Sequence, residues 1–184
     1  MKLFLAALIA VLGLVAVPPT PSKAADLENM LYMDLKYGRV VIEMRPDLAP
    51  KHVTRIKELV KQGFYNGVPF HRVIAGFMAQ TGDPTGTGMG GSGQNLPAEF
   101  NKERHVRGTV SMARAQSPNS ADSQFFICFD IADFLDGQYT VWGKVVEGME
   151  FVDMIKKGDD ADNGSVAESE RDVIVKMTLA ADAK

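Results

Sequence analysis

The sequence predicts a mainly β domain, built as a closed or nearly closed antiparallel barrel that two α-helices cap. Short apolar runs of strand length recur along most of the chain, and turn residues separate them. Only two segments instead show the period of an amphipathic helix. Many short strands with few helices are typical of all-β barrels, in which closure protects the strand edges.

The first predicted elements are a β-hairpin and a helix. The segment LYMDLKYGRVVIEM alternates in polarity and predicts two strands joined at Tyr37-Gly38. The segment APKHVTRIKELVKQGFYNG then changes to a helical period, with Pro50 in the first turn and Gly63 at the end. One apolar face of this helix is formed by Val53, Ile56, Leu59 and Val60.

The remaining runs predict further strands, in the segments VPFHRVI, GFMAQTG, GTVSMARA, SQFFICF and YTVWGKVV. A second short helix fits GMEFVDMIKKG, and RDVIVKMTLA forms the last strand. No repeat and no interdomain linker interrupts this order. We therefore expect one domain with a core of its own.

The N-terminal segment has the three parts of a secretory signal peptide. A lysine at position 2 precedes an apolar block from Leu3 to Val17, and Ser22-Lys23-Ala24 offers small residues for cleavage. Residues 1–24 are predicted as a cleaved signal peptide and residues 25–184 as the mature domain, located in the periplasm or secreted. The alternative is an uncleaved anchor, although the block is shorter than the roughly 20 apolar residues of a membrane span.

The net charge of the chain limits its possible partners. The full chain has a net charge of −3, and removing Lys2 and Lys23 with the signal makes the domain more acidic. An acidic domain without a basic surface is not expected to bind nucleic acid.

The single cysteine, Cys128, lies in an apolar run and is predicted as a small core residue, so no disulfide supports the domain.

Two loops resemble ligand-binding motifs. GTGMGG, from Gly86 to Gly91, satisfies the dinucleotide pattern, but Pro97 and the absence of helical period afterwards favour a turn loop. The acidic segment from Asp159 to Glu170 matches five positions of a calcium loop but has Ala161 at an oxygen-donor position. A solvated acidic loop is the preferred interpretation, and calcium binding remains the alternative.

Other catalytic patterns are absent from the sequence. The three histidines, His52, His71 and His105, do not have metal-ligand spacing, and no G-x-S-x-G elbow occurs. We expect neither a metal nor another cofactor. Arg72 stands out because it interrupts an apolar run. It is a packing accident at a strand end, an ion-pair partner or a catalytic cation in an apolar cleft.

Three blocks together resemble the cyclophilin family of peptidyl-prolyl cis–trans isomerases, and their short connecting loops are similar to its bacterial, periplasmic branch. The blocks are FHRVIAGFMAQTGD, GTVSMARA with SQFFICF, and FLDGQYTVWGKVVEGM, and the likeness extends from Leu31 to Ala180. The resemblance implies a closed, eight-stranded antiparallel β-barrel with a helix at each end. It also implies an external groove that binds the proline of a polypeptide substrate.

Carried over by position, the resemblance assigns twelve residues to this groove. Arg72 is the implied catalytic residue. The proline pocket is assigned to Phe77, Met78, Phe126 and Leu135; the polar edge to Gln80; the peptide-binding strand to Ala113, Arg114 and Ala115; and the rim to Gln124, Phe134 and Tyr139. Without the resemblance, the four pocket residues would be predicted as core and Arg72 as a surface residue paired with an acid.

Three positions depart from the best-known eukaryotic members. Phe134 stands where they have tryptophan, Tyr139 where they have histidine, and Arg114 where asparagine is usual. Losing the indole N–H removes a hydrogen-bond donor to cyclosporin, so weak binding of that drug is expected. The residue at the position of Arg114 mostly uses its backbone in the family, so activity is expected to survive.

The expected function is acceleration of X–Pro isomerisation in exported proteins by a monomer that has no membrane contact after signal cleavage. Two alternatives from other classes remain. One is a non-catalytic module or chaperone that holds proline-containing segments, and the other is a structural subunit.

Overall fold

A computed structural model describes residues 27–183. Within this range the chain forms eight strands and two α-helices, with short 3₁₀ turns between them. The strands are β1 Met30–Leu35, β2 Gly38–Met44, β3 Arg72–Ile74, β4 Met78–Thr81, β5 Thr109–Met112, β6 Phe125–Cys128, β7 Val141–Glu147 and β8 Lys176–Leu179. The helices are α1 Pro50–Lys61 and α2 Met149–Asp153. The mainly β class and the predicted elements are confirmed.

All strand pairs are antiparallel and form one sheet in the order β3-β4-β6-β5-β7-β2-β1-β8. The edge strands β3 and β8 do not share a ladder. Instead, the segments that precede them are bridged, with Phe70 N donating to Asp172 O at 2.9 Å and Ile174 N to Val68 O at 3.0 Å. The barrel is therefore curled and nearly closed, and the prediction of full closure overstated the pairing.

The β1–β2 hairpin turns one residue earlier than the sequence predicted. Leu35 pairs with Gly38, so Lys36 and Tyr37 form the two-residue turn and Gly38 is the first residue of β2. Gly38 has a φ of +152°, and a Cβ there would meet the ring of Phe151. Contact with α2 thus explains why glycine stands at this position.

Helix α1 covers one end of the barrel. Pro50 occupies its first turn, and its predicted apolar face is buried against the core beside β8. The N-cap residue Ala49 offers no side-chain cap. Glu99, from a distant loop, accepts hydrogen bonds from the free backbone N–H groups of Lys51 and His52, both at 3.1 Å.

The sheet separates two apolar clusters. The larger fills the barrel and includes Trp142, Phe125 and Tyr65, all with no solvent exposure. The smaller lies on the other face and contains Met78, Phe126, Cys128, Ala132 and Leu135. Alternation along β4 and β6 sends successive side chains to opposite clusters. No helix within residues 27–183 has the length and apolarity needed to cross a membrane.

Candidate active site

The outer apolar cluster forms the floor of a cavity of about 590 Å³. Strand register builds it, because Arg72 on β3 pairs with Gln80 on β4, and Gln80 pairs with Phe126 on β6. These three side chains therefore lie in one row across the outer face. Nine of the twelve predicted site residues line the cavity: Arg72, Phe77, Met78, Gln80, Ala113, Arg114, Phe126, Leu135 and Tyr139.

The three other predicted residues lie beside this cavity. Ala115 and Gln124 line an adjoining cavity of about 460 Å³, which shares Gln80, Ala113 and Arg114 with the first. Phe134 is 61% exposed, and its ring centroid lies 5.3 Å from that of Phe77. It extends the apolar wall outward at the rim. The structure thus brings all twelve residues to one surface.

Three hydrogen bonds orient the guanidinium of Arg72. Its Nε and Nη2 donate to the backbone oxygen and Oδ1 of Asn163 at 3.0 and 2.9 Å, and its Nη1 donates to Oε1 of Gln80 at 3.1 Å. Arg72 takes part in no ion pair with the residues that the structure describes. Burial lowers the pKa of Arg72, yet an arginine keeps its proton at any physiological pH.

The loop that carries Asn163 is fastened along the free edge of β3. Val73 N donates to Gly164 O at 2.7 Å, and Gly158 N donates to Val73 O at 2.9 Å. Asn163 itself has a φ of +52°, a conformation that asparagine tolerates better than most residues. Both oxygens of Asn163 can therefore face Arg72, although the two residues are 91 positions apart in sequence.

Gln80 connects Arg72 to the loop above the cavity. Its Nε2 donates to Oε1 of Gln124 at 2.9 Å, and Nε2 of Gln124 donates to the carbonyls of Gly88 and Gly90 at 3.0 and 2.8 Å. This chain of amides determines the orientation of the Gln80 side chain, so its oxygen faces the guanidinium. The cation is held by neutral acceptors and keeps its full charge.

Arg114 fixes the opposite rim. Its guanidinium lies 4.6 Å from the centre of the Tyr139 ring and donates to carbonyl oxygens of two separate chain segments. The acceptors are Gln138, Ala115 and Gln116, at 3.0 to 3.2 Å. The side chain thus holds Tyr139 in place. The family asparagine is too short to span this distance in the same way.

A second layer supports the floor. His105 is fully buried, with its ring stacked on Phe126 at a centroid distance of 6.0 Å. Its Nδ1 lies 2.9 Å from Asp136 Oδ1 and its Nε2 lies 3.1 Å from Ser111 Oγ. Cys128 is buried within the outer cluster, as a small packing residue, and burial raises the pKa of its thiol to about 12. Neither group reaches the groove as a reactant.

The glycine loop is a turn, as the sequence predicted, and residues 82–108 contain no helix. The buried carboxylate of Asp83 holds the loop in its conformation. It accepts hydrogen bonds from the backbone N–H groups of Thr85, Gly88 and Gly90 at 2.7, 2.7 and 3.1 Å. Burial would raise the pKa of Asp83, but the hydrogen bonds outweigh it and hold the pKa at about 2.

The acidic loop is ordered by its own backbone. The carboxylate of Asp159 accepts from Ala161 N at 2.9 Å, and Asp160 and Asp162 are exposed. Within residues 27–183, no group of three or more His, Cys, Asp or Glu side chains is placed to hold a metal ion. Three residues of this loop line the cavity: Asp162, Asn163 and Ser165.

Sequence reasoning missed one side of the cavity. His71, Thr87, Asn163, Ser165 and Arg171 also line it. No local pattern marks Asn163, Ser165 or Arg171, because backbone pairing alone brings residues 158–171 to the edge of β3. His71 directly precedes Arg72, and Thr87 lies in the glycine loop. By contrast, the interpretation of Arg72 as a surface residue paired with an acid is wrong. The pocket residues lie in the outer cluster rather than in the barrel core.

Fold and site together define a class of protein. A β-barrel with an external apolar cleft, beside an arginine that is fixed but unpaired, has the arrangement of a peptidyl-prolyl isomerase. The model of the family described as cyclophilin type peptidyl-prolyl cis-trans isomerase/CLD matches residues 30–179. The chain belongs to this family, and it is a peptidyl-prolyl cis–trans isomerase.

Relatives and solved structures agree with that assignment. A probable peptidyl-prolyl cis-trans isomerase of Brucella suis is 58% identical over 175 residues, covering 89% of this chain and 88% of the relative. The Helicobacter pylori peptidyl-prolyl cis-trans isomerase is 44% identical over 143 residues, covering 74% and 87%. The predicted bacterial branch fits these relatives.

Two crystal structures show the same fold. Cyclophilin AquaCyp293 from Hirschia baltica has a TM-score of 0.75 at 28% identity, covering 86% of this chain and 76% of that one. A cyclophilin type isomerase from Cryptosporidium parvum, solved in the presence of the dipeptide Ala-Pro, has a TM-score of 0.73 at 30% identity. This match covers 82% of this chain and 98% of the Cryptosporidium parvum chain.

Proposed function

We propose that this isomerase binds the proline of an exported polypeptide in the outer groove and uses Arg72 to lower the rotation barrier. The observation that carries the proposal is the guanidinium of Arg72, which is oriented by neutral acceptors at the edge of an apolar floor. A cation in this position is available to a substrate, because no carboxylate of residues 27–183 neutralises it.

The chemistry of the X–Pro bond explains why one fixed donor is enough. Rotation costs roughly 18–20 kcal/mol because the planar amide is conjugated. In the twisted transition state the prolyl nitrogen regains its lone pair and accepts a hydrogen bond that it cannot accept in the planar ground state. A donor aimed at this nitrogen therefore binds the transition state more strongly than the substrate, which lowers the barrier.

The groove supplies the rest of the reaction. Phe77, Met78, Phe126 and Leu135 hold the proline ring, and the partly buried surroundings strengthen the hydrogen bond of Arg72. The chain on one side of the proline lies along residues 113–115, while the other side rotates. No proton is transferred, so the mechanism needs no acid–base pair. The Cryptosporidium parvum structure with Ala-Pro supports a proline-containing ligand for this groove.

The test is exchange NMR on a short X–Pro peptide, using residues 25–184 and the variants Arg72→Ala and Arg72→Lys. We expect Arg72→Ala to fold normally and to lose most activity. Arg72→Lys should recover little, because an ammonium cannot reproduce the fork that Gln80 and Asn163 orient. Near-wild-type exchange by Arg72→Ala would refute the proposed catalytic role of Arg72.

The same experiment separates the enzyme from a binding module. If the wild-type protein shifts the peptide resonances on binding but exchange is no faster than in buffer, the groove holds proline segments without turnover. The proposed role of Arg72 would then fail as well.

Export is the second part of the proposal. It is supported by the signal-peptide pattern of residues 1–24, which lie outside the described residues. Expression of the full chain followed by fractionation and N-terminal sequencing tests it. A mature chain beginning at Ala25 in the periplasm or medium is expected, and an intact N-terminus in the cytosol would refute it.

A further inference from the structure

The cavity extends beyond Arg72 into a polar region that the proposed reaction does not use. We name this region the outer subsite and define it by His71, Thr87, Ser165 and Arg171, all of which line the cavity. The loop bearing Ser165 bridges to β3, the edge strand of the sheet. The outer subsite therefore lies on the side of Arg72 away from β5, the strand that ends at Met112.

Arg171 has free donors in this subsite. Its Nε donates to Val166 O at 2.9 Å, but neither terminal nitrogen has a hydrogen-bond partner or a carboxylate among residues 27–183. The guanidinium packs closely on Gly86, where a Cβ would lie 2.7 Å from Nη1. Glycine at this position, with a φ of +68°, leaves the room that the arginine occupies.

His71 forms a neutral wall of the outer subsite. It is only 6% exposed, and neither of its ring nitrogens has a hydrogen-bond partner. Its Nε2 would lie 3.6 Å from a Cβ on Gly88, so the glycine loop passes directly beside the ring. Burial lowers the pKa of His71, which leaves a neutral ring with one N–H donor at pH 7. Because both nitrogens are themselves buried, the ring forms an uncharged wall of the subsite rather than a donor to a ligand.

The arginines of this chain divide in a way that points to an acidic ligand. Of the eight arginines, five form ion pairs, namely Arg39, Arg45, Arg55, Arg104 and Arg107. The three without one within residues 27–183, Arg72, Arg114 and Arg171, all line this cavity. Arg72 and Arg114 direct their donors at neutral oxygens of the protein. Arg171 retains its terminal donors for a ligand.

The cavity is therefore positive in a protein whose net charge is −3. The single carboxylate in its lining is that of Asp162, on an exposed residue. A positively lined cleft favours ligands of opposite charge, by attraction at a distance and by direct pairing.

We propose that the outer subsite binds a carboxylate of the substrate polypeptide through Arg171, beside the neutral ring of His71. The substrate class is then proline-containing segments with an aspartate or glutamate near the proline. This inference rests on the proposed function of the groove. A chain terminus shortly after proline would present the same carboxylate chemistry, and the experiment separates the two sources.

The experiment compares peptides that carry Glu or Gln at each position within three residues of one proline. The peptides are acetylated and amidated, so the only carboxylate is the side chain, and kcat/KM is measured by exchange NMR at low ionic strength. We expect a Glu-over-Gln ratio of about five on one side of the proline, as for a partly exposed charge pair. A Gln peptide with a free C-terminus tests the terminal source.

Two variants test whether Arg171 causes the preference for Glu over Gln peptides. Arg171→Gln should bring the Glu-over-Gln ratio to about one, whereas Arg39→Gln, which removes a remote surface arginine of the same charge, should leave the ratio unchanged. Equal turnover of Glu and Gln peptides by the wild-type protein would overturn the inference. So would a ratio that survives Arg171→Gln, because the selectivity would then come from the overall field.

Failure of the proposed function has a different signature. In that case no peptide exchanges faster than in buffer. Chemical-shift titration then measures affinity directly, and tighter binding of Glu peptides that Arg171→Gln abolishes would still support the subsite. Equal affinity for both peptides would refute it.

Discussion

Replacing Asn163 by glycine tests how far the orientation of Arg72 determines activity. The side-chain oxygen of Asn163 accepts from Nη2 of Arg72, and its backbone oxygen accepts from Nε. Glycine tolerates the φ of +52° and keeps the backbone carbonyl. The substitution therefore removes one of the three hydrogen bonds of the guanidinium and leaves the loop conformation intact.

The size of the effect follows from the position of this bond. A hydrogen bond from a charged donor contributes more than a neutral one, but this one is solvent-exposed, so we assign it about 1 kcal/mol. If this energy holds Arg72 in its productive orientation, its loss lowers kcat by about fivefold. Asn163 is not part of the apolar floor that we propose to bind the proline ring, so KM should change little.

Exchange NMR over a range of peptide concentrations separates kcat from KM. Asn163→Asp is the companion variant, since aspartate keeps an oxygen acceptor and also tolerates the left-handed conformation, but it pairs the guanidinium with a carboxylate. By the reasoning that an unneutralised cation is needed, we expect it to lose activity as well, with thermal denaturation showing that both variants are folded. Unchanged kcat in Asn163→Gly would refute the idea that the Asn163 side chain positions Arg72, and unchanged kcat in Asn163→Asp would refute the need for neutral acceptors.

Three further outcomes are expected. Gly148→Ala should destabilise the fold in urea by about 2 kcal/mol or more, because Gly148 has a φ of +79° and a Cβ would overlap the carbonyl of Arg39. Gly137→Ala, with a φ of +70° and open space around it, should cost only about 1 kcal/mol, and equal losses would contradict the steric account. Asp83, whose pKa is about 2 in the folded protein against 3.8 ordinarily, should contribute about 2 kcal/mol that is fully present above pH 4 and lost as pH falls towards 2. Asp83→Asn should therefore flatten the acid limb of the stability–pH curve, and an unchanged slope would argue against the assignment. Cyclosporin should bind weakly because Phe134 offers no N–H donor at the rim, and a nanomolar Kd by titration would contradict this.

The elements were predictable because their signals are local. Alternation in the first hairpin and the helical period of α1 can be read from neighbouring residues. The turn of the hairpin was placed one residue too late, since the Leu35–Gly38 pair follows from strand register and from packing on Phe151. The cap of α1 could not be predicted, because Glu99 reaches it from another part of the chain.

The site was predictable only where its residues lie within continuous blocks of sequence. The resemblance to the family placed Arg72, the apolar floor and the rim correctly on one surface. It said nothing of Asn163 or of Arg171, which belong to a loop outside the resembling blocks. The structural role of the Arg114 side chain, which spans to Gln138 and Tyr139, was also not foreseen.

The sequence by itself determined the fold class, the number of helices and the apolar composition of the groove, because burial patterns repeat over a few residues. Only the tertiary structure decided which face of the sheet carries the second apolar cluster, and which groups meet at Arg72. Those contacts depend on strand register and on a loop that joins the barrel edge from 91 residues away. Such pairing depends on strand register throughout the sheet, and no local pattern of residue types encodes it.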